Sequence, residues 1–268
     1  MAEGVRPSAL LFDLDGVFFV GDQAVAGGAD VVHWARAEGI PILFVTNTTS
    51  HSRQSLTRKL ESFDIVVDPS QLLTPVVAAR DLIVERGAEP IAVFLPDESA
   101  AEFEGLRRLA TTQSQGAAAV VVGDLGEAWD FATLNRAFRL LMAEPPPLLV
   151  ALGLSRFWAD HDGLVLDVGA FVRGLEFAAD TQAVVTGKPS ASFFHAAATH
   201  VGRPCGEIVM VGDDVRSDVG AAQVAGMRGV LVRTGKFAPA DLDRGVVPDA
   251  VIDSVVDLPE WWRTATAR

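Results

Sequence analysis

The chain has 268 residues, of which 49% are hydrophobic, enough for one large domain or two smaller ones. Its formal net charge is −13, its pI is near 4.7, and it has no basic run able to neutralise a line of phosphates; this argues against nucleic acid and against an anionic membrane surface, and leaves small anionic substrates open. Cys205 is the only cysteine, no basic segment leads into an apolar leader and no apolar run reaches bilayer-spanning length, so the expected location is the cytoplasm.

Residues 10–17 read Leu-Leu-Phe-Asp-Leu-Asp-Gly-Val. The apolar part predicts a strand over Ala9–Asp13 that ends in two carboxylates, Asp13 and Asp15, on one face if the strand continues. Two readings compete here. Asp-Gly marks an ordinary turn, whereas two crowded carboxylates are relieved by a hard divalent cation held by oxygens. Ala29–Ala37 then reads as a helix closed by Gly39, and Ile42–Thr46 as a strand. Ser52–Glu61 is a polar helix that Ser50 or Ser52 can cap.

The middle of the chain has its own alternation. Strands are expected at Ile91–Leu95, Ala117–Val122 and Leu148–Leu152, and helices at Ala100–Leu109, Phe131–Met142 and Gly169–Ala179. Pro145–Pro147 breaks the chain before the third of these strands. Val184–Thr186 opens a new strand, followed by a helix that carries His195 and His200. Next come Ile208–Gly212, a helix near Asp218–Ala225, and the strands Gly229–Val232 and Ala250–Ile252. Nearly continuous apolar runs alternating with helices predict an α/β fold with a doubly wound parallel sheet, Rossmann-like in type. We expect a core of residues 1–77 and 184–268 with a smaller α/β domain, 78–183, inserted in it; one continuous sheet is the alternative.

Four polar segments follow predicted strands: Asp13-x-Asp15-Gly16, Thr46-Asn47-Thr48-Thr49, Gly187-Lys188-Pro189-Ser190, and Gly212-Asp213-Asp214 with Asp218 beyond it. In a parallel sheet the carboxyl ends of strands share one edge, so these segments can converge. Singly, Thr46-Asn47 reads as a helix cap and Gly187-Lys188-Pro189 as a turn with a solvated lysine. Together the residue types suit phosphoryl transfer. Asp13 is the nucleophile that forms an aspartyl-phosphate. Mg²⁺ between Asp13 and Asp213 neutralises charge, and Lys188 adds a point charge beside the phosphate. The Thr46 hydroxyl and Asn47 amide donate to phosphate oxygens. Asp15 protonates the leaving oxygen and then activates water. Asp214 and Asp218 orient metal waters or Lys188.

Asp13-Leu14-Asp15-Gly16-Val17, Thr46-Asn47, Lys188-Pro189 and Gly212-Asp213-Asp214 resemble the four motifs of the haloacid dehalogenase superfamily. The long insert between the second and third motifs is similar to that of members with a C2-type cap. The stretches TNTTSHSR and VVTGKPSASFF resemble the NagD-like branch. GDLGEAWDFATLNRAFRLLM, LVLDVGAFVRGLEFA, GDDVRSDVGAAQ and VRTGKF look closest to the group containing phospholysine phosphohistidine inorganic pyrophosphate phosphatase. The resemblance implies the Asp13 carboxylate, the Asp15 backbone carbonyl and Asp213 as ligands of Mg²⁺. It also implies Thr46, Asn47 and Lys188 as phosphate binders, and a homodimer through the cap. An acid at position 15 implies hydrolysis of a phosphate ester or phosphoramidate.

The expected activity is therefore a Mg²⁺-dependent phosphatase of small phosphorylated metabolites: phosphoamides or pyrophosphate, sugar phosphates, nucleoside monophosphates or pyridoxal phosphate. Phosphotransfer to a non-water acceptor, and non-catalytic binding of a phosphometabolite, are the alternatives. Within the insert, Ser155-Arg156-Phe157-Trp158 is the candidate recognition loop. Either Arg156 pairs with a substrate anion and an aromatic ring stacks on a flat group, or the aromatics are core and Arg156 is solvated. No histidine is paired at metal-ligand spacing, and Cys205 reads as an ordinary thiol.

Overall fold

Strand-length apolar runs build the sheet on which the polar segments are mounted. In the computed structural model, which describes residues 6–160, 163–243 and 245–267, six strands pair in parallel. Their order is Ala250–Ile252, Arg228–Val232, Ile208–Gly212, Ala9–Phe12, Ile42–Val45, Leu72–Leu73. Every residue of Ala9–Phe12, Ile42–Val45 and Ile208–Gly212 is buried, as strands covered on both faces require. Phe12 lies opposite Val211 on one side and Phe44 on the other. The residues that follow these strands therefore leave the sheet at one edge.

This sheet belongs to a unit made of residues 6–46, 53–73 and 188–267. Its core includes Phe12, Phe18 and Phe44 with Leu10, Leu60 and Val211. The Phe18 ring meets Phe12 at 5.2 Å and Phe44 at 5.5 Å between centroids, both edge-on, the arrangement ring quadrupoles favour. Helix Gly28–Ala37 turns Val31, Val32 and Ala35 inward, one stripe at helical spacing.

The second unit comprises Asn47–Ser52 and Thr74–Gly187. Its separate parallel sheet runs Val184–Val185, Leu148–Ala151, Ala119–Val122, Ile91–Phe94, so one continuous sheet is not what forms. Helices Pro75–Arg86, Phe131–Leu141 and Val168–Ala179 flank it in sequence. Trp129 stacks between Phe94 and Phe171, at 5.6 and 5.2 Å. No helix among the described residues is long and apolar enough to cross a membrane.

Three expectations are corrected. The Ala100–Leu109 helix does not form: a turn over Asp97–Ala100 and Ala101–Phe103 ends at Gly105, with φ of 88°. The chain then runs beside Ile91, with Leu109 N–H donating to Ile91 O at 2.8 Å and Ile91 N–H to Arg107 O at 2.9 Å; exposed strand-edge groups there outcompete helix propensity. The helix near Asp218–Ala225 forms, but it starts earlier, as a wide π turn over Val215–Gly220, and only Ala221–Val224 is α-helical. The loop Ser155–Trp158 is half strand, because Phe157–Asp160 pairs antiparallel with Gly163–Leu166. Helix Pro75–Arg86 was not anticipated, although its punctuation is standard. Thr74 caps Val77 N–H at 3.3 Å, Pro75 opens the first turn and left-handed Gly87 closes the last.

Phe18→Ala removes the ring shared by Phe12 and Phe44. We predict a loss of about 3–5 kcal/mol in urea unfolding; a loss under about 1 kcal/mol contradicts this picture of the core.

Candidate active site

Asp13 continues the central strand by one residue, its amide donating to Val211 O at 2.9 Å. Its carboxylate is buried and meets Lys188, whose Nζ lies 2.8 Å from Asp13 Oδ1 and 2.7 Å from Asp218 Oδ1. Asp213 leaves the neighbouring strand beside them. One carboxylate oxygen each of Asp13, Asp213 and Asp218 lies within 4.8 Å of the others. Asp213 Oδ2 accepts the Lys236 N–H at 2.7 Å. Asp213 Oδ1 is buried and has no hydrogen-bond partner among the described residues. An orphaned carboxylate oxygen beside two further carboxylates fits a hard divalent cation.

The local fold puts these groups together. Gly16, with φ of 84°, lies against the Asp213 carboxylate so closely that a Cβ there would overlap it. Asp214 Oδ1 accepts the N–H groups of Arg216 and Ser217, each at 2.9 Å, and so starts the wide turn. That turn brings Asp218 back under the strand end, where its Oδ2 accepts the Asp214 N–H at 3.1 Å.

Burial and mutual repulsion govern the charges. Burial raises the Asp13 carboxyl, and Asp213 adds to this, while Lys188 opposes it. Burial, with Asp218 adding to it, pushes Asp213 up to about 6 against the Lys236 amide. Burial likewise pushes Asp218 up to about 6, with Lys188 opposing and Asp13 adding. Burial disfavours the Lys188 ammonium, but Asp13 and Asp218 outweigh it and hold the amine above its ordinary range. Burial also acts on Asp214, where the Ser217 and Arg216 amides prevail and hold the carboxyl below its usual range.

The structure thus brings Asp13, Lys188, Asp213 and Asp218 into direct contact or close proximity. Asp15 has an exposed side chain outside this cluster. The carboxylate of Asp214 is engaged with its own turn. Thr46 is buried at the end of Ile42–Val45, its N–H donating to Leu73 O at 3.2 Å. Asn47 belongs to the second unit, where its Oδ1 would lie 3.2 Å from a Cβ at Gly187. Ser155 and Arg156 are exposed. Phe157 is 51% exposed, which rules it out as core, and the Arg156 guanidinium lies 5.8 Å from its ring centre. The Trp158 side chain lies outside the described residues. His33, His51, His195 and His200 are exposed, and burial raises the Cys205 thiol, the sign of an unreactive group.

Sequence reasoning missed the Lys236 amide and the glycine before it. The signal was present: Thr234-Gly235-Lys236 follows a strand of the same sheet at the same edge.

Residues 10–107 match the family model described as haloacid dehalogenase-like hydrolase, and residues 185–258 match one described as HAD-hydrolase-like. A Bos taurus protein named haloacid dehalogenase-like hydrolase domain-containing protein 2 is 39% identical over 236 residues, covering 88% of each chain. The Xenopus laevis phospholysine phosphohistidine inorganic pyrophosphate phosphatase is 36% identical over 245 residues, covering 90% of this chain and 87% of its own. Among solved structures, the p-nitrophenyl phosphatase from Archaeoglobus fulgidus superposes with a TM-score of 0.86 at 25% identity, covering 96% of this chain and 99% of that one.

A carboxyl whose folded pKa is raised contributes stability that is present below its unfolded value and lost as pH rises through the folded one. For Asp213 that window runs from 3.8 to about 6. In EDTA, Asp213→Asn should therefore gain thermal stability relative to wild type as pH rises from 4 through 6. A constant difference in melting temperature across that range contradicts the assignment.

Proposed function

The chain belongs to the haloacid dehalogenase-like hydrolase family, and on that premise we propose that it is a Mg²⁺-dependent phosphatase that carries the phosphoryl group of a small metabolite on Asp13. The observation that supports this reading best is the buried Lys188 held between Asp13 and Asp218, next to an Asp213 oxygen with no hydrogen-bond partner among the described residues.

In the proposed reaction Asp13 attacks phosphorus, and the bond to the leaving oxygen, or to the leaving nitrogen of a phosphoamide, breaks as Asp15 donates its proton to that atom. Asp15, now a base, takes a proton from water. That water attacks the phosphorus of the aspartyl-phosphate, releasing inorganic phosphate and restoring the Asp13 carboxylate. Lys188 keeps positive charge beside the transferring group, and the Thr46 hydroxyl and Asn47 amide donate to its oxygens. The Asp13 and Asp213 carboxylates and the Asp15 carbonyl would hold Mg²⁺, which when bound neutralises charge on the phosphate. The exposed Asp15 side chain is consistent with a group that must meet both leaving oxygen and water.

The second unit is proposed to be the C2-type cap, with Ser155, Arg156, Phe157 and Trp158 contributing substrate contacts. A homodimer through this unit belongs to the same reading, supported by the exposed Leu164, Leu166 and Phe177. The candidate substrate classes are phosphoamides or pyrophosphate, sugar phosphates, nucleoside monophosphates and pyridoxal phosphate.

Phosphate release from such a panel should require Mg²⁺, stop in EDTA and vanish in Asp13→Asn. Asp15→Asn should lower kcat about 10²–10⁴-fold, and less for p-nitrophenyl phosphate, whose leaving group needs no proton. Turnover unchanged in Asp13→Asn would falsify the proposal. Diversion of phosphate to added alcohols in place of water would instead identify a phosphotransferase.

A further inference from the structure

We propose that the turn Thr234-Gly235-Lys236 is a positioning element of the cation site, fixing one oxygen of Asp213 so that the other faces Asp13 and Asp218. The inference deepens the reading of Asp213 as a cation ligand and rests on it.

The turn follows strand Arg228–Val232, which pairs with Ile208–Gly212, the strand that delivers Asp213. Three contacts tie it to the site. Lys236 N–H donates to Asp213 Oδ2 at 2.7 Å. A backbone amide bonded to an ionised carboxylate is strong and directional, so it fixes the rotation of that carboxylate and defines which oxygen remains. Thr234 Oγ1 donates to the Gly16 carbonyl oxygen, anchoring the turn to the segment that carries Asp13 and Asp15. Gly235 has φ of 66°, and a Cβ there would overlap both the Asp213 carboxylate and the Gly16 Cα. Two backbones and one carboxylate therefore pack with no space for a side chain. The partner left for Asp213 Oδ1, which is buried and unbonded among the described residues, is a cation.

Lys236 bonds Asp213 through its N–H, and its ammonium adds a favourable charge to the same carboxylate. The turn supplies shape, one donor and that charge, and no atom that reacts. Its effect should appear in cation affinity before any chemistry takes place.

The test is calorimetric titration of metal-free protein with Mg²⁺, without substrate. Gly235→Ala should weaken Mg²⁺ binding about 10–100-fold, the usual cost of disturbing a group that orients a metal ligand. Thr234→Val should weaken it about 10-fold, and Thr234→Ser, which keeps the hydroxyl, should stay within about twofold of wild type. Gly39→Ala is the control, because Gly39 has φ of 68° with nothing near its missing Cβ; it carries the same backbone strain away from the site and should leave affinity unchanged. Folded Gly235→Ala with wild-type affinity overturns the proposal, as does an equal loss in Gly39→Ala. If Gly235→Ala does not fold, the Thr234→Val and Thr234→Ser pair decides: equal affinities overturn the proposal. Wild-type protein that binds no Mg²⁺ also overturns it. Wild-type protein that binds Mg²⁺ but releases no phosphate refutes the proposed function and leaves this comparison intact.

Discussion

Lys188 holds two buried carboxylates at once, with its ammonium 2.8 Å from Asp13 and 2.7 Å from Asp218. Asp213 stands beside them, and with all four groups ionised, three carboxylates against one ammonium leave a formal charge of −2. Removing charge from water costs several kcal/mol per ion unless it is paired. One lysine cannot satisfy this cluster, which is why Asp213 and Asp218 are both pushed up to about 6. A divalent cation held where Asp213 offers an oxygen unbonded among the described residues would cancel the remainder. The same cation meets the needs of the proposed reaction, since a carboxylate can approach an anionic phosphate only when the negative charge between them is screened.

The sheet makes this crowding possible. Ala9–Phe12 lies between Ile208–Gly212 and Ile42–Val45, and its register with both is fixed by buried apolar residues on each face. Asp13 and Asp213, 200 positions apart in sequence, thus emerge side by side where the order of strands across the sheet reverses. The strand ends alone do not finish the site. The wide turn begun by Asp214 returns Asp218 to Lys188, and the Thr234–Lys236 turn braces Asp213 from the next strand. Stability and function pull in opposite directions in this region. The aromatic cluster around Phe18 stabilises the sheet, whereas the metal-free acidic cluster opposes folding at neutral pH.

Much of this was legible in the sequence because strand burial and strand ends write simple patterns. Apolar runs marked every strand of the first sheet but the two-residue Leu72–Leu73, and Asp13, Lys188 and Asp213 stood out as charged residues next to such runs. What was not legible depends on contacts between distant segments. The Ala100–Leu109 stretch has helical composition but finds free strand-edge groups at Ile91. Arg156-Phe157 reads as a loop until the antiparallel pairing of Phe157–Asp160 with Gly163–Leu166 is known. Gly235 looks like any turn glycine, and only the neighbouring strand shows that a carboxylate occupies the space a side chain would need. Thr74-Pro75 and Gly87, by contrast, were readable helix punctuation.

The central claim is that Asp13 accepts the phosphoryl group. The direct measurement is to quench turnover with hydroxylamine, which converts an acyl phosphate to a stable hydroxamate, and to locate the modified residue by peptide mass spectrometry. The account predicts a hydroxamate at Asp13 that forms only when substrate and Mg²⁺ are both present. Continued phosphate release with Asp13 unmodified, or a modification at another carboxylate, would contradict it.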